Sequence, residues 1–516
     1  MILKNFLNSN FIIILFIIMN VIIKALSNIN KVNNNKRNLG SYNQYVKLKI
    51  NKTGKIKIFG NWIFETSEIY FNEQKLKYQT FLAGHVDEIN VNITSLSNNN
   101  EIIVKWNGKF STTEKMFLNC NSLISIDLSN FDTSFVTDMS SMFSGCNSLI
   151  SLELSSFNSS FVTDMSYMFS ECNSLISLDL SNFDTSSVTL MYKMFSGCNS
   201  LISLDLSSFN TYNVLSMSLM FNNTNLTSLD LTNFNTSRVS NMQGMFNGSK
   251  YLKSLDLSSF NTSRVRDIRY MFYGCNSLLS LNLSNFDTTS LYYCNGMFQN
   301  CTSLKILHLS NSNFDICFDN NNSIISIDLS NFKYKYSNIN IFRNYNFQSL
   351  EFLNFSNNNF NYLTDKLFKT NCNLKFMDIS NGFTTNFTNV KNIFSNCNSL
   401  VSINMSNFST NYANMENLFY DFRSLISVDF SNFFSSSKDT NMENLFYNCI
   451  SLKSVNFSNF YSSSNYINME NMFYNCNSLY SLDFSNSNKI LINNMAYMFW
   501  NFISLISLDL SSLICL

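Results

Sequence analysis

The stretch Cys146-Asn-Ser-Leu-Ile-Ser-Leu-Glu-Leu-Ser-Ser-Phe157, followed by Val162-Thr-Asp-Met-Ser-Tyr-Met-Phe169, decides the fold of this chain. A further copy of the pattern begins at Cys172, 26 residues after the first. Side chains alternate between the two faces of a strand, so Leu152 and Leu154 are expected to point inward together. One short strand cannot bury its own leucine pair, and the copies are therefore predicted to stack over one another.

A Phe landmark at the end of the second stretch shows how far the pattern extends. Its spacing is mostly 25 to 27 residues, although the copy around Phe318 is shortened. The landmarks are Phe117, Phe143, Phe169, Phe195, Phe221, Phe246, Phe272, Phe298, Phe318, Phe342, Phe368, Phe394, Phe419, Phe446, Phe473 and Phe499. The frame Leu-x-x-Leu-x-Leu-x-x-Phe fits the leucine-rich-repeat template of roughly 20–29 residues, with Phe where that template has Asn or Cys. We therefore predict a leucine-rich-repeat solenoid, a parallel β-strand stack of about 16 turns over residues 111–516.

The segment that returns the chain between strands has a periodicity of its own. In one copy its apolar residues are Val136, Met139, Met142 and Phe143. Spacings of three and four are typical of short helical or 3-10 stretches, which we predict for the return segments. A ligand groove lined by Met and Phe is an alternative, but both are habitual core residues, and a second apolar wall of the solenoid is favoured.

Composition argues against several classes of function. Hydrophobic residues make up 45% of the 516 residues and charged residues 13%, with 34 basic and 34 acidic side chains. A neutral chain without a basic face gives no indication of a nucleic-acid partner. The two histidines, His85 and His308, lie in unrelated contexts, and the 12 glycines form no phosphate-binding loop. Repeated, equivalent carboxylates lack the differentiated environments that catalysis requires, so we expect neither an enzyme nor a cofactor.

Residues 1–26 have the features of a secretory signal peptide. Lys4 precedes an apolar run from Phe11 to Ile23. The run is shorter than the roughly 20 apolar residues of a transmembrane helix, although an uncleaved signal anchor is the alternative. Both interpretations place the rest of the chain in the extracellular space or at the cell surface, with no further transmembrane anchor. Residues 27–44 are polar, rich in Asn and without periodicity, and are predicted to form a linker.

Residues 45–110 differ from the repeats and are predicted to form a small β-rich N-terminal cap. Val46-Lys-Leu-Lys-Ile50 and Lys55-Ile-Lys-Ile-Phe59 alternate apolar and charged side chains, which is the period of half-buried strands. The pair Gly60-Asn61 marks a turn. A solenoid needs an end that shields its core from water, and this segment is placed to provide one. A separate binding domain is the alternative.

Nine of the 13 cysteines lie three residues after a landmark Phe. This column consists of Cys120, Cys146, Cys172, Cys198, Cys275, Cys301, Cys397, Cys449 and Cys476. Thr224 and Ser249 occupy the same slot in other copies, which indicates a packing position. Neighbouring column cysteines would lie within reach of a disulfide, but stacked, parallel Cβ vectors suit one poorly, and we favour buried thiols. No metal site is expected, because no Cys-x-x-Cys pair or nearby His completes four ligands.

An outward-facing polar stripe is the candidate binding face. Its acidic column consists of Asp127, Glu153, Asp179, Asp205, Asp230 and Asp256, and its serine column of Ser151, Ser177 and Ser203. The acidic column continues as Asn282, His308, Asp328, Asn354, Asp378, Asn404, Asp429, Asn456, Asp483 and Asp509. Stacked carboxylates roughly 5 Å apart repel one another, and water and salt screen that repulsion. The stripe is either a solvated face or a ligand-binding surface, the latter with or without Ca²⁺, which prefers oxygen ligands.

Two units resemble the repeats of BspA-like leucine-rich-repeat surface proteins. They are Ser-Leu-Asp-Leu-Ser-Asn-Phe-Asp-Thr-Ser at 177–186 and Met-Phe-Ser-Gly-Cys-Asn-Ser-Leu at 142–149, and the resemblance extends over 111–516. It implies a secreted or cell-surface adhesion protein, with a protein or glycan ligand on a host, a matrix or a neighbouring cell, and it supplies no catalytic residues. The repeats depart from the family pattern after Asn300. A self-associating coat component is one alternative, and an intracellular scaffold is another if the signal is not used.

Asn-x-Ser/Thr sequons are frequent and predict a glycoprotein if the source is eukaryotic. In a chain so rich in Asn and Ser many sequons arise by chance, so exposed loops are the expected sites. They begin at Asn51, Asn92, Asn158, Asn222, Asn225, Asn235, Asn247 and Asn261.

Overall fold

A computed structural model describes residues 43–516 except 62–66, 78, 84–85, 97–98, 312–322, 333–347, 363–367, 369–372, 386–393, 395, 465, 489, 509, 511 and 516. The predicted signal peptide and most of the predicted linker lie outside the described residues. Within the described part of the cap region the strands are β1 (Gln44–Ile50), β2 (Gly54–Phe59), β3 (Ser67–Phe71), β4 (Gln74–Lys75), β5 (Gln79–Ala83), β6 (Val86–Ile93) and β7 (Glu101–Trp106).

The cap joins the solenoid on two of its walls. Strands β4, β3, β7 and β1 form an antiparallel sheet, and β1 also pairs with β8 (Leu123–Asp127), the first strand of the solenoid. Strands β2, β6 and β5 form a second antiparallel sheet. At the end of β2, Phe59 packs on Phe117 with ring centroids 5.1 Å apart, and the Gly60 N–H donates to the Met116 carbonyl at 2.7 Å. The cap therefore shields the first turn both at its leucine strand and at its return segment.

Beyond the cap, short parallel strands stack into three walls. The strand wall carries the Leu-x-Leu frame in β8, β9 (Ser151–Glu153), β10 (Ser280–Asn282), β11 (Ile306–His308), β12 (Ser326–Asp328), β13 (Phe352–Asn354), β14 (Phe376–Asp378), β16 (Ser402–Asn404), β18 (Ser427–Asp429), β21 (Ser454–Asn456), β24 (Ser481–Asp483) and β26 (Ser507–Leu508). The middle wall contains β15 (Phe383–Thr384), β17 (Ser409–Thr410), β19 (Phe434–Ser435) and β22 (Tyr461–Ser462). The return wall contains β20 (Asp439–Asn441), β23 (Tyr466–Asn468), β25 (Ile490–Asn494) and β27 (Leu513–Cys515).

Register on the strand wall places each inward residue directly over its equivalent. Leu281 pairs with Leu307, and Leu307 pairs with Ile327. All three side chains are buried and belong to one continuous core that runs from the cap into the last turns. The predicted leucine-rich-repeat solenoid, with stacked parallel strands burying a leucine column, is confirmed.

Two details of the predicted solenoid differ slightly in the structure, namely the number of turns and the form of the return segments. Over the described residues the chain forms a parallel β-solenoid of about 13 turns, slightly fewer than the landmarks suggest. The weak landmarks Phe318 and Phe342 lie outside the described residues. The regular return segments are hydrogen-bonded turns rather than helical or 3-10 segments, and helix is nearly absent from the described residues, where a 3-10 helix spans Phe360–Tyr362.

Left-handed backbone in the return segments explains the missing helices. In one return, Ser141 has a φ of 55° and Gly145 a φ of 72°, and the neighbouring copies repeat this pair. Between them, the Phe143 N–H donates to the Met168 carbonyl of the next copy at 2.9 Å. A helix instead bonds each donor within its own segment. The apolar spacing of three and four is therefore produced by turns that direct Met and Phe inward.

The return wall is the more continuous wall in the first half of the solenoid. Parallel bridges run along it from copy to copy, beginning at Thr112 and ending at Tyr293. The strand wall, which is fully described here, has no assigned strand between β9 and β10, and Leu178 is only partly buried. On the return wall Phe143 stacks on Phe169, with ring centroids 5.6 Å apart and ring planes within 5°. Backbone pairing between these copies is therefore concentrated on the return wall.

Candidate binding face

The predicted polar stripe lies on the outer side of the strand wall. Asp127, next to the cap, is half-buried. The remaining members are exposed, namely Glu153, Asp179, Asp205, Asp230, Asp256, Ser151, Ser177 and Ser203. The structure thus places all of the predicted face residues on one surface.

Each acidic side chain of the stripe also has a structural role, which the sequence reasoning missed. Asp179 accepts a hydrogen bond from the Ser181 backbone N–H at 2.9 Å, and Glu153 accepts one from the Ser155 N–H at 2.9 Å. Side-chain oxygens that accept a backbone N–H two residues later form Asx-type turns. These turns end the extended segment of each copy. The same bond is made by Asp127, Asp205, Asp230, Asp256, Asn282, Asp328, Asn354, Asp378 and Asn404.

The turn bonds also fix the charge of the stripe. Hydrogen bonds from the backbone and hydroxyl of Ser181 lower the pKa of the Asp179 carboxyl, and those from Ser207 lower the pKa of Asp205. The neighbouring carboxylates oppose the shift at Asp205, but the hydrogen bonds are the larger influence. These carboxylates are therefore ionised at neutral pH. Asn serves equally well in the column because the turn requires one oxygen acceptor rather than a charge.

A column of exposed isoleucines accompanies the serine column and was not predicted. Ile150, Ile176 and Ile202 each precede a serine of the stripe and are 46%, 56% and 60% exposed. Strict alternation would turn these side chains inward, because the serines point outward. Ile150 stands directly before β9, outside the extended segment, so the alternation does not reach it, and two consecutive side chains face solvent in each of these copies. The face is consequently more apolar than the sequence pattern suggests.

A groove of about 430 Å³ opens on the strand wall in the second half of the solenoid. Its apolar part is formed by Phe352 and Phe376, which are 41% and 38% exposed. Their rings stack with centroids 4.8 Å apart and planes within 9°. The strand register puts both rings in the slot that Ser326 and Ser402 occupy in the adjoining copies. A Phe in an outward serine slot was the sequence signal that could have identified this groove.

Polar side chains line the groove beside the rings. They are the continuation of the acidic column and comprise His308, Asp328, Asn354, Asp378 and Asn404. The His308 Nδ1 lies 3.8 Å from the Asp328 Oδ2, and the Asn404 Nδ2 donates to the Asp378 Oδ2 at 3.3 Å. The groove therefore combines an exposed aromatic platform with a row of hydrogen-bonding groups.

The cysteine column is part of the core rather than of the binding face. Its six members in the regular copies are buried and carry thiols, namely Cys120, Cys146, Cys172, Cys198, Cys275 and Cys301. The Cys146 Sγ donates to the Phe117 carbonyl at 3.0 Å. Burial raises the pKa of the Cys146 thiol to about 12, which suppresses the reactive thiolate. Cys294 lies outside the column, in the slot that Met139 fills in an earlier copy, and is disulfide-bonded.

Three further features concern metal binding, membrane-spanning helices and the glycosylation sequons. Within the described residues no group of three or more His, Cys, Asp or Glu side chains is arranged to hold a metal ion. In the same part of the chain no helix is long and apolar enough to cross a membrane. The sequon asparagines Asn51, Asn92, Asn158, Asn235 and Asn261 are exposed, whereas Asn222, Asn225 and Asn247 are half-buried.

Three solved structures are similar to this chain at low identity. An internalin (inlF) from Listeria monocytogenes has 12% identity and a TM-score of 0.26, with 54% of this chain and 82% of that chain covered. The TLR13–ssRNA13 complex has 14% identity and a TM-score of 0.20, with 72% and 59% covered. The functional domain of InlJ from Listeria monocytogenes, which includes a cysteine ladder, has 11% identity and a TM-score of 0.18, with 72% and 68% covered. No curated protein matches the chain.

Two families match the solenoid sequence. The family described as "Mycoplasma protein of unknown function, DUF285" matches residues 111–228, 199–311, 361–487 and 413–512, which together exceed half of the chain. The "BspA type Leucine rich repeat region" matches residues 269–390 in six copies. The resemblance to BspA-like repeats is confirmed, and the chain belongs to the DUF285 family of leucine-rich-repeat proteins.

Proposed function

We propose that this chain is an exported recognition protein that adheres to partner molecules through the strand wall and has no catalytic function. The observation that carries the proposal is the groove, where Phe352 and Phe376 are exposed beside a row of polar side chains. Exposed apolar groups that are rimmed by polar residues commonly mark interaction sites. A repeat protein of the BspA type uses its surface for protein interactions in general, which is consistent with such a role.

The fold itself does not require aromatic residues at this position. Ser326 and Ser402 fill the equivalent slots in the adjoining copies, and the same wall continues through them. Contact between two phenylalanine side chains and water is unfavourable, and a partner that covers the rings gains the free energy of burying their apolar surface. The exposed pair Phe434 and Tyr461 stacks in the same way, at 5.2 Å, and is not part of this groove. It is the row of hydrogen-bonding side chains beside the two groove phenylalanines that favours a binding role for their rings.

Export and surface adhesion rest on the N-terminal sequence. Residues 1–26 have the composition of a signal peptide, and the outward surface is rich in Ser and Asn rather than in basic residues. A partner on a host, a matrix or a neighbouring cell is therefore within reach of the strand wall. The repeated Asp and Asn side chains are committed to turns, as Asp179 and Asn354 illustrate, so a catalytic carboxylate pair has no support on this face.

Two measurements test the proposal. A reporter fused after residue 44 should be exported, and its retention in the cytosol would contradict the export part of the proposal and favour an intracellular scaffold. The purified chain 27–516 should bind cells or matrix proteins in a saturable manner, and excess unlabelled chain should compete. Self-assembly without any saturable partner would instead support the alternative of a structural coat.

A further inference from the structure

We infer that the groove around Phe352 and Phe376 binds an extended, uncharged glycan chain. This inference rests on the proposed recognition function and specifies its ligand. The groove is shallow and open rather than enclosed, and its lining extends over successive copies from β11 to β16. A ligand that fits it must be elongated along the solenoid axis.

The ring pair provides a platform for the apolar face of a sugar. Phe352 and Phe376 cover each other on their inner sides, at 4.8 Å between centroids. On the outer sides, the adjoining slots of the same column hold only Ser326 and Ser402. The pair is therefore not sealed within a longer aromatic ladder, in contrast to the stacked core rings. Aromatic rings combine a large apolar surface with a geometry that favours flat partners, and a pyranose presents such a surface through its C–H groups.

The polar row suits hydroxyl groups. Asp328, Asn354 and Asp378 each commit Oδ1 to a turn N–H, at 3.0, 3.1 and 2.8 Å. The second atom of each side chain is an acceptor in Asp and a donor in Asn, so acceptor and donor alternate along the row. The Asp378 Oδ2 already accepts from the Asn404 Nδ2 at 3.3 Å and keeps its second lone pair for a ligand. A sugar hydroxyl is both donor and acceptor and can use either. A cationic ligand would gain from the carboxylates and gain little from the amides between them.

The spacing of the groove also favours a glycan over an extended peptide. Equivalent side chains recur at the strand spacing of about 4.8 Å. Side chains on one face of an extended peptide recur at about 6.6 Å and would leave this register within a few residues. A glycan chain needs no such side-chain register, because its sugar rings carry C–H faces and hydroxyl groups along the whole chain. The carboxylates Asp328 and Asp378 disfavour a strongly anionic glycan.

The test uses the full mature chain and three soluble hexasaccharides, of β-linked glucose, β-linked N-acetylglucosamine and β-linked mannose, in titration calorimetry. At least one should bind, and the double variant Phe352→Ser, Phe376→Ser should weaken it roughly tenfold or more. Serine is expected to fold in these slots because Ser326 and Ser402 already occupy them. The matched control is Phe434→Ser, Tyr461→Ser, an exposed pair stacked at 5.2 Å outside the groove, in whose slot Ser409 stands in the adjoining copy. This control should bind like the wild type.

A charge variant separates glycan from peptide ligands. Asp378→Asn keeps the turn acceptor that Asn354 and Asn404 provide in the same column and removes one carboxylate. A hexasaccharide should therefore lose at most the hydrogen bond that the Asp378 Oδ2 accepts, roughly tenfold or less in affinity, whereas a cationic peptide should lose most of its binding. A different result would identify a cationic peptide as the ligand in place of a glycan. In that case hexalysine would bind the wild-type chain, no hexasaccharide would bind, and hexalysine binding would be lost in this variant and in high salt. Failure of all three hexasaccharides, or unchanged affinity in the double phenylalanine variant, would overturn the inference. If the double phenylalanine variant still binds cells in a saturable manner, the proposed recognition function stands without the glycan inference. If the wild-type chain shows no saturable cell binding, the recognition function and the glycan inference are both contradicted.

Discussion

Thr185 and Asn210 form a reciprocal pair across two successive copies of the repeat. The Thr185 Oγ1 donates to the Asn210 carbonyl at 2.9 Å and accepts from the Asn210 backbone N–H at 2.8 Å. The hydroxyl is buried, and its donor and one of its acceptor positions are both used. The same slot is buried and holds a hydroxyl at Thr133, Ser159, Thr211, Thr236 and Thr262. This buried hydroxyl column replaces backbone ladder bonds between copies.

We expect Thr185→Val to destabilise the fold by about 1–3 kcal/mol, because valine matches threonine in shape and leaves the N–H and C=O of Asn210 without their partly buried hydrogen-bond partner. The measurement is the free energy of unfolding in urea. Thr163→Val is the matched control, since the exposed Thr163 hydroxyl donates to the Thr137 carbonyl at 3.2 Å, where water can replace it. The control should change stability by less than about 0.5 kcal/mol. Equal losses in both variants would show that burial of the column is irrelevant.

The sequence predicted the part of the fold that follows from apolar periodicity. Leu281 and Leu307 could be assigned to one inward column because a strand alternates faces and a lone pair cannot be buried. The prediction of helical return segments differs from the structure because apolar spacings of three and four do not distinguish a helix from a series of turns. The left-handed backbone at Ser141 and Gly145 produces turns instead of a helix. A serine in the sequence does not indicate a positive φ, so this difference could not be predicted from the residue types.

The candidate face was predicted only in part, for a related reason. The stripe residues were found because they repeat, and their turn bonds could have been suspected from the alternation of Asp and Asn at Asp328 and Asn354. Phe352 and Phe376 were overlooked because they interrupt a repeat instead of following it. Functional residues in a repeat protein are expected where one copy differs from its neighbours, since identical copies serve the common fold.

The turn bond of Asp205 gives a prediction that separates structure from charge. Asp205→Ala should lower the melting temperature, because the Ser207 N–H loses its acceptor at 2.9 Å. Asp205→Asn keeps a neutral acceptor and should lose only the part of the stabilisation that depends on the charge. The pKa of Asp205 is lowered by the Ser207 bonds, so this stabilisation is complete above the ordinary value of 3.8 and is lost as the pH falls through the lowered pKa. Melting curves at neutral pH and at pH 2 should therefore show the alanine effect shrinking in acid. An effect of the same size at both values would contradict the assignment.

The buried thiols predict low reactivity and loss of stability in alkali. The pKa of Cys146 and of Cys198 is raised to about 12 because burial disfavours the thiolate. In the unfolded chain these thiols ionise near 9.0, so the folded state holds more protons above that pH, and stability should fall as the pH rises from about 9 toward 12. Iodoacetamide labelling at pH 8, followed by peptide mass spectrometry, should modify Cys146 in urea and spare it in buffer. Rapid labelling of Cys146 in the folded chain would contradict its burial.

Hydrogen exchange should distinguish the two walls of the first half of the solenoid. The amides of residues 165–170 all donate to acceptors on the return wall or in its turns, such as the Phe169 N–H to the Met194 carbonyl at 2.9 Å. The amides of residues 177–180 lie where the strand wall has no assigned strand. Exchange follows local opening, so we expect residues 177–180 to exchange faster at neutral pH than residues 165–170. The strand-wall amides of residues 306–308 are the control, because β11 is paired on both sides and should be protected.

A glycine comparison tests how much the left-handed turns contribute. Gly145 has a φ of 72°, and a Cβ there would collide with the Asn119 side chain of the preceding copy, whereas Gly54 has a φ of 93° and open space around it. Left-handed backbone costs a residue with a Cβ about 1–2 kcal/mol, so Gly54→Ala should lose about that much free energy of unfolding. Gly145→Ala should lose a similar amount, because the end of the exposed Asn119 side chain can move away and the backbone strain is the cost that both variants share. A much larger loss at Gly145 would show that contact between stacked returns, in addition to the backbone conformation, selects glycine there.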